Sequence, residues 1–410
     1  MLLRTRSVAR HDGRVLVLLR RRPELRRLFL AHAVSRAGDA FNGVALVVLV
    51  FQLTGSGRDV ATTVAFEVAP VLLLGPVAGL LADRLPRRRI MVAADLLRAG
   101  LAVTLALASG SVALAYGVAF GLSVGALAFN PAAASLLPEV VDDDELVDAN
   151  TALWTVAVTA QIVLAPLAGV LIATAGVGVA FALNALSYLV SALLLLGLSA
   201  GRAPADMTVR GWKGVAAGIE AVRTHPLLAR LAVVQILASL SAGATGGLLV
   251  VLAADWLGVG PSGFGVLLGA IGVGAALGPL ALRSRIRAGD RRWLFGPYVL
   301  RGGVDLTLAS VGNPVVAAGA LAAYGVGTST GMIAYHSTLQ TQIARELRGR
   351  AFALYDVLWN AARLASLGAG GLLADVVGIR AVYVVAGLLL LAAGAVGWVS
   401  PRYEGNGLAV

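Results

Sequence analysis

Runs of about 20 predominantly apolar residues follow one another along almost the whole 410-residue chain, and no other feature limits its fold as much. Each run is long enough to cross ~30 Å of hydrocarbon as an α-helix. Lipid offers no water to backbone N–H and C=O groups, so a spanning segment must bond within itself or close into a barrel. Unbroken apolar runs, rather than strict alternation, select the helix. With 58% of residues hydrophobic and 13% charged, the apolar surface also exceeds what a soluble core of this size buries. Twelve spans are predicted, at about 28–52, 61–82, 90–109, 112–137, 149–173, 177–199, 227–255, 262–282, 293–311, 313–342, 351–374 and 379–399.

Charge orients these spans. Of 33 basic residues, Arg58 and Arg380 fall in one set of loops and Arg36, Arg98, Arg301 and Arg363 inside spans, leaving 27 (33 − 2 − 4) on the opposite side. That side is thereby the cytoplasmic one, and an even span count puts both termini there. The net charge of +11 is read as this topology signal rather than as a nucleic-acid footprint. The absence of Cys excludes disulfides and thiolate catalysis, and neither a zinc motif nor a phosphate-binding loop is present, so no metal, cofactor or enzymatic centre is expected. Residues 1–27 read as a basic cytoplasmic tail, 28–199 as one six-helix bundle and 200–226 as a cytoplasmic linker. A second bundle at 227–399 and a tail at 400–410 complete the chain.

The two sets of six spans resemble each other. Shifted by 203 positions without a gap, Pro23 falls on Pro226, Arg27 on Arg230, Gly55 on Gly258, Gly57 on Gly260, Gly75-Pro76 on Gly278-Pro279, and Arg98 on Arg301. At an offset of 202, Gly169, Gly176 and Phe181 meet Gly371, Gly378 and Tyr383. Because six is even, the repeats are parallel and related by a pseudo-twofold axis along the membrane normal. Such a pair encloses a central cavity, and a small-molecule substrate is the partner it implies.

The segment "GLLADRLPRRR" (79–89) ends one apolar run in a carboxylate and a cluster of arginines. It resembles the loop after span two of the major facilitator superfamily, roughly G-x-x-x-D-R-x-G-R-R: Gly79, Asp83, Arg84, Arg87 and Arg88 match, and Pro86 replaces the glycine. "SRAGDAFNGVALVVLVFQLTGS" (35–56), "FNPAAASLLPEVV" (129–141) and "LQTQIARELRGRAFAL" (339–354) resemble that superfamily's bacterial drug and siderophore exporter branch. The resemblance implies an all-α fold of twelve transmembrane helices in two six-helix bundles and export of a small amphiphilic molecule by alternating access, coupled to protons. It places Asp83 against the start of span eleven near Arg350 as a cytoplasmic gate, where a carboxylate gains from exposed N–H groups. The arginines are expected to keep hydrated heads near anionic lipid. Two features depart from the proton-antiporter pattern: span four has no arginine, and the span-five motif is reduced to "APLAG" (165–169). An importer, or a scaffold or sensor that has lost transport, are the alternatives.

Ionisable groups within spans cost at least ~2.5–3.5 kcal/mol unless paired or hydrated. Arg36 with Asp39 and Asp95 with Arg98 are spaced i,i+3, and Arg301 with Asp305 i,i+4, so each pair can meet on one helix face. Asp356 and Arg363 lie two turns apart. Glu67 has no cation within four residues on its span, which with Asp39 makes it a proton-coupling candidate. Gln161, Gln235, His336, Gln340, Trp359 and Asn360 are candidates for lining the cavity, with helix–helix hydrogen bonding as the competing role. In "EVVDDDELVDAN" (139–150), Asp142 and Glu145 have capping-box spacing, and the acidic run is placed to attract cytoplasmic arginines. The glycines of "GAIGVGAALG" (269–278) are read as a close helix contact. A multi-pass bacterial cytoplasmic-membrane protein acting as a monomer is the resulting expectation.

Overall fold

A computed structural model of the chain describes residues 18–142, 145–199, 226–282, 285, 290–342 and 345–399. No strand occurs among them, and they form twelve long rods, counting contiguous pieces between Pro226 and Trp256 as one. The first six are α1 (Pro23–Thr54), α2 (Gly57–Arg84), α3 (Arg87–Leu107), α4 (Val112–Val140), α5 (Leu146–Ala175) and α6 (Val177–Leu196). The second six are α7 (Pro226–Gly247, prolonged through Leu249–Val251 and a π turn at Leu252–Trp256), α8 (Pro261–Leu282), α9 (Arg291–Ser310), α10 (Pro314–Gln342), α11 (Arg345–Val376) and α12 (Ile379–Trp398). Each rod covers one hydropathy span. The largest displacement is at α11, which starts at Arg345 instead of 351 because its first turn is polar and hydropathy does not register it.

Local chemistry sets the ends. Ser111 caps α4 by accepting from the Leu114 N–H, Asp290 caps α9 from the Arg292 N–H at 2.9 Å, and Asn313 caps α10 from Val315 and Val316. The Asp142 N–H donates to the Glu145 carboxylate at 3.3 Å, but the capping box expected of the spacing does not form: Glu145 itself is the cap position of α5, and no side chain caps that helix. Eight rods are apolar and long enough to cross a membrane among the residues described. α9 falls short of that apolarity because Arg291, Arg292, Arg301 and Asp305 share its length.

The described residues with left-handed glycine backbone are Gly55 (φ 62°), Gly176 (φ 82°), Gly258 (φ 62°) and Gly378 (φ 106°). They are two pairs of repeat mates. The internal repeat is therefore one of backbone conformation: at each pair the chain turns between two helices through a φ that a Cβ would oppose.

The chain divides into two compact units, one drawn from Met1–Leu49 with Phe66–Val209, the other from Val50–Ala65 with Arg210–Val410. In the first, α3 packs on α6 and on α4; in the second, the repeat equivalents α9, α12 and α10 pack likewise, and α7 packs on α11. Leu28, Ala31 and Met91 belong to the first core, and their mates at an offset of 203, Leu231, Val234 and Leu294, to the second. Within the second unit α8 and α10 cross at backbone contact: a Cβ on Gly274 would stand 1.8 Å from the Ala322 carbonyl oxygen, and one on Gly325 2.0 Å from that of Ile271. This is the close contact expected of the glycine-rich run. Large apolar side chains such as Leu73, Leu107 and Leu193 are left exposed on the rods, as a lipid-facing surface requires.

Candidate functional site

The first unit gathers its interior charges into one connected group. On α3, Asp95 and Arg98 form an ion pair, both nearly fully buried. The pair fits because α4 presents Gly125 to it: a Cβ there would lie 2.6 Å from Arg98 Cγ. The Arg98 guanidinium lies over two aromatic faces, Tyr188 at 4.4 Å and Phe129 at 4.8 Å, an arrangement that offsets part of its desolvation. Tyr188, on α6, then donates its hydroxyl to Asp39 on α1 at 2.6 Å. Asp39 also faces Arg36 at 3.6 Å, and Arg36 makes long 3.4 Å contacts with His32 Nε2 and Asn130 Oδ1. One carboxylate at the inner end is sealed; the other, Asp39, keeps 31% of its side chain accessible. The chain of contacts thus joins an open carboxylate to a closed ion pair through one tyrosine.

The second unit keeps the arginine but not the wiring. Arg301 rests against Gly327 as Arg98 does against Gly125. Where Asp95 stands in the first repeat, Tyr298 stands in the second, and Leu390 takes the place of Tyr188 at an offset of 202. Among the described residues no ion pair joins Arg301 to Asp305, contrary to the spacing argument. Arg301 instead donates to Tyr324 Oη at 2.7 Å and lies over that ring, while Asp305 accepts from Ser241 at 3.3 Å. Hydroxyls on neighbouring helices bond to each group, while Arg301 Nε is buried without a hydrogen-bond partner and the two charges remain within electrostatic reach of each other.

Other candidates are placed as follows. Glu67 is half-buried on α2, and its carbonyl accepts from Ser123 at 2.6 Å. Gln235 accepts from Tyr298 at 3.3 Å, which is a helix-to-helix bond. His336 stacks edge-on with Tyr335 at 5.6 Å, Trp359 packs against the second core and accepts from Ser239 through its carbonyl, and Asn360 and Arg363 are partly buried. The side chains of Gly79, Asp83, Arg84, Arg350, Asp356, Gln161 and Gln340 lie outside the described residues. Arg87 and Arg88 depart from the expected lipid-facing role. Arg87 is buried in an ion pair with Glu139 at the end of α4, and Arg88 donates to the Leu198 carbonyl at 2.7 Å. Two protein acceptors within reach outcompete hydration for these heads.

The acidic run also holds the start of α1: Arg22 pairs with Asp142 and Glu145, a hydrogen bond to Asp142 being the main reason its pKa is raised. No group of three His, Asp or Glu residues that could hold a metal ion occurs among the described residues. Sequence reasoning missed Tyr188. A signal was available, because Asn184, Ser187, Tyr188 and Ser191 form an i, i+3, i+4, i+7 polar stripe in an otherwise apolar span, and all four are buried.

Residues 19–407 match the family model described as "Transmembrane secretion effector". The chain is 30% identical over 407 residues to the multidrug efflux pump Tap of Mycolicibacterium fortuitum, covering 95% of this chain and 98% of Tap. It is 27% identical over 403 residues to the enterobactin exporter EntS of Citrobacter koseri, covering 92% of this chain and 93% of that one. In fold it resembles a bacterial homologue of the iron transporter ferroportin in an inward-facing state, with a TM-score of 0.75, 19% identity and coverage of 92% of this chain and 98% of the other. The nucleoside transporter NupG gives a TM-score of 0.76 at 12% identity, over 92% of this chain and 99% of NupG.

Proposed function

The chain belongs to the transmembrane secretion effector family of the major facilitator superfamily, a transporter and not an enzyme, and on that premise we propose that it exports a small amphiphilic molecule in exchange for protons. The supporting observation is the setting of Asp39: a partly accessible carboxylate held between the Arg36 cation and the Tyr188 hydroxyl. In that setting a proton arriving from outside cancels one charge, frees Arg36 from its partner and weakens the bond from Tyr188. Differential protonation is what allows a proton gradient to shift the populations of two transporter conformations. Glu67 on α2 is the second group assigned to this role. Export, rather than uptake, is supported by the names of the relatives, a multidrug efflux pump and a siderophore exporter. The bundles at 28–199 and 227–399 are the moving parts in this reading. The protein resides as a monomer in the bacterial cytoplasmic membrane with both termini inside, which reporter fusions at either end test.

Transport in proteoliposomes provides the direct test. Lipophilic cationic dyes, macrolides and catecholate siderophores are the probes, with a pH gradient imposed in either direction. At least one is expected to move against its gradient when protons move the other way, and Asp39→Asn with Glu67→Gln is expected to abolish that dependence. Transport that ignores the gradient and survives both substitutions would refute the coupling.

A further inference from the structure

The first turns of α2 are held by more than their own helix. Ser56 already caps α2, its Oγ accepting from the Asp59 N–H at 3.2 Å, so the helix start has the side-chain partner it needs. Asp375, in the last turn of α11, adds three bonds to the same segment. It accepts from the Gly57 N–H at 2.7 Å, the Arg58 N–H at 3.3 Å and the Ser56 hydroxyl at 2.9 Å. A carboxylate placed there meets the positive end of the aligned peptide dipoles. Beneath it the two backbones touch. A Cβ on Gly371 would stand 2.7 Å from Ala61 Cβ and 2.9 Å from Arg58 Cα, and one on Gly57 3.0 Å from Ala374 Cβ.

These contacts explain why Val50–Ala65 belongs to the second unit while α1 up to Leu49 and α2 from Phe66 belong to the first. The α1–α2 tip therefore packs with α11 inside the second unit. An ordinary helix cap would not require that division, since Ser56 supplies it locally.

We propose that Asp375, seated on the Gly57–Gly371 backbone contact, is a releasable clasp for the α1–α2 tip, closed in the structure described and opened when the face opposite the arginine-rich one admits solvent. Asp375 is exposed, so water can take over its three donors as they part, whereas Val60, Ala61 and Thr63 are buried and become accessible only on release. The inference rests on alternating access, but on neither the direction of transport nor the coupling ion.

The chain contains no cysteine, so Val60→Cys supplies a sole thiol beneath the clasp. Its modification by a membrane-impermeant maleimide is followed in right-side-out vesicles, with labelling of denatured protein as the measure of amount. Asp375→Ala is expected to speed modification roughly five- to thirty-fold, the range that loss of one or two such hydrogen bonds gives in a two-state ratio. Asp375→Asn, of unchanged size, is expected to lie between, which separates release from misfolding of the alanine variant. Gly371→Ala should act in the same direction by wedging the backbones apart without altering charge. Rates within twofold of the parent in all three variants would overturn the clasp. Labelling reads the clasp and vesicle transport reads coupling, so failure of one is distinct from failure of the other.

Discussion

Tyr188 donates a 2.6 Å hydrogen bond to Asp39 while its ring lies 4.4 Å beneath the guanidinium of Arg98. One side chain on α6 therefore touches the partly accessible carboxylate of α1 and the sealed ion pair of α3. The second repeat has Leu390 at this position, so its arginine has no such link to α7. The duplication kept the helix packing and the Arg-on-Gly contact, and diverged in the residues that carry charge between helices.

Tyr188→Phe keeps the ring under Arg98 and removes only the donor to Asp39. A loss of about 1.5 kcal/mol in stability is expected, the low end for a hydrogen bond to a charged group. Transport should fall severalfold at unchanged membrane abundance. Tyr188→Leu also removes the cation–π contact and should cost about 1 kcal/mol more, read as a lower melting temperature in detergent.

Asp95 and Arg98 form the buried ion pair, and removing one partner strands the other charge. Asp95→Asn or Arg98→Met alone is expected to destabilise by about 3–5 kcal/mol. The double variant should be less destabilised than the sum of the singles, with a coupling of about 0.5–3 kcal/mol in a denaturation cycle. Additive losses would show that the pair contributes no mutual stabilisation.

Glycines at helix contacts should differ from glycines facing open space. Gly274→Ala and Gly325→Ala place a Cβ against a rigid backbone carbonyl and should each cost about 1–3 kcal/mol. Gly100→Ala meets nothing within 4 Å and should be neutral or stabilising by up to about 1 kcal/mol, as expected inside a helix. Gly125→Ala should fall between, because the atoms in its way belong to the flexible Arg98 stem. Melting temperatures of the four purified variants give the order directly.

Repeat mates with the same backbone should respond alike. Gly55 and Gly258 share φ 62°, and a Cβ at either meets no neighbouring atom, so the cost of alanine is conformational. About 1–2 kcal/mol is expected for each. Unequal losses would mean that tertiary packing, not backbone strain, dominates at one of the two turns.

Much of this architecture was legible because it rests on local or periodic signals. Apolar run length defined twelve rods, and arginine placement marked one face. Glycines at matching positions disclosed the repeat before their left-handed backbone was seen, because only glycine accepts that conformation cheaply. The Asp95–Arg98 pair was readable from i,i+3 spacing, since both groups sit on one helix and little else competes for them. Arg301 and Asp305 had comparable spacing, yet Tyr324 and Ser241 on other helices claimed them. Arg87 and Arg88 likewise turned from lipid to Glu139 and the Leu198 carbonyl.

The sequence by itself determined the number and length of the helices, the side on which positive charge collects, the duplicated plan and the family, because hydrocarbon thickness and backbone hydrogen bonding act on each segment alone. Tertiary structure alone decided which polar groups meet across helices: Tyr188 with Asp39, Asp375 with the start of α2, and the acceptors of Arg87 and Arg301. Such partners lie between about 23 and 318 residues apart in the chain, where no periodicity relates them. Only the crossing of packed helices brings their side chains within hydrogen-bonding distance.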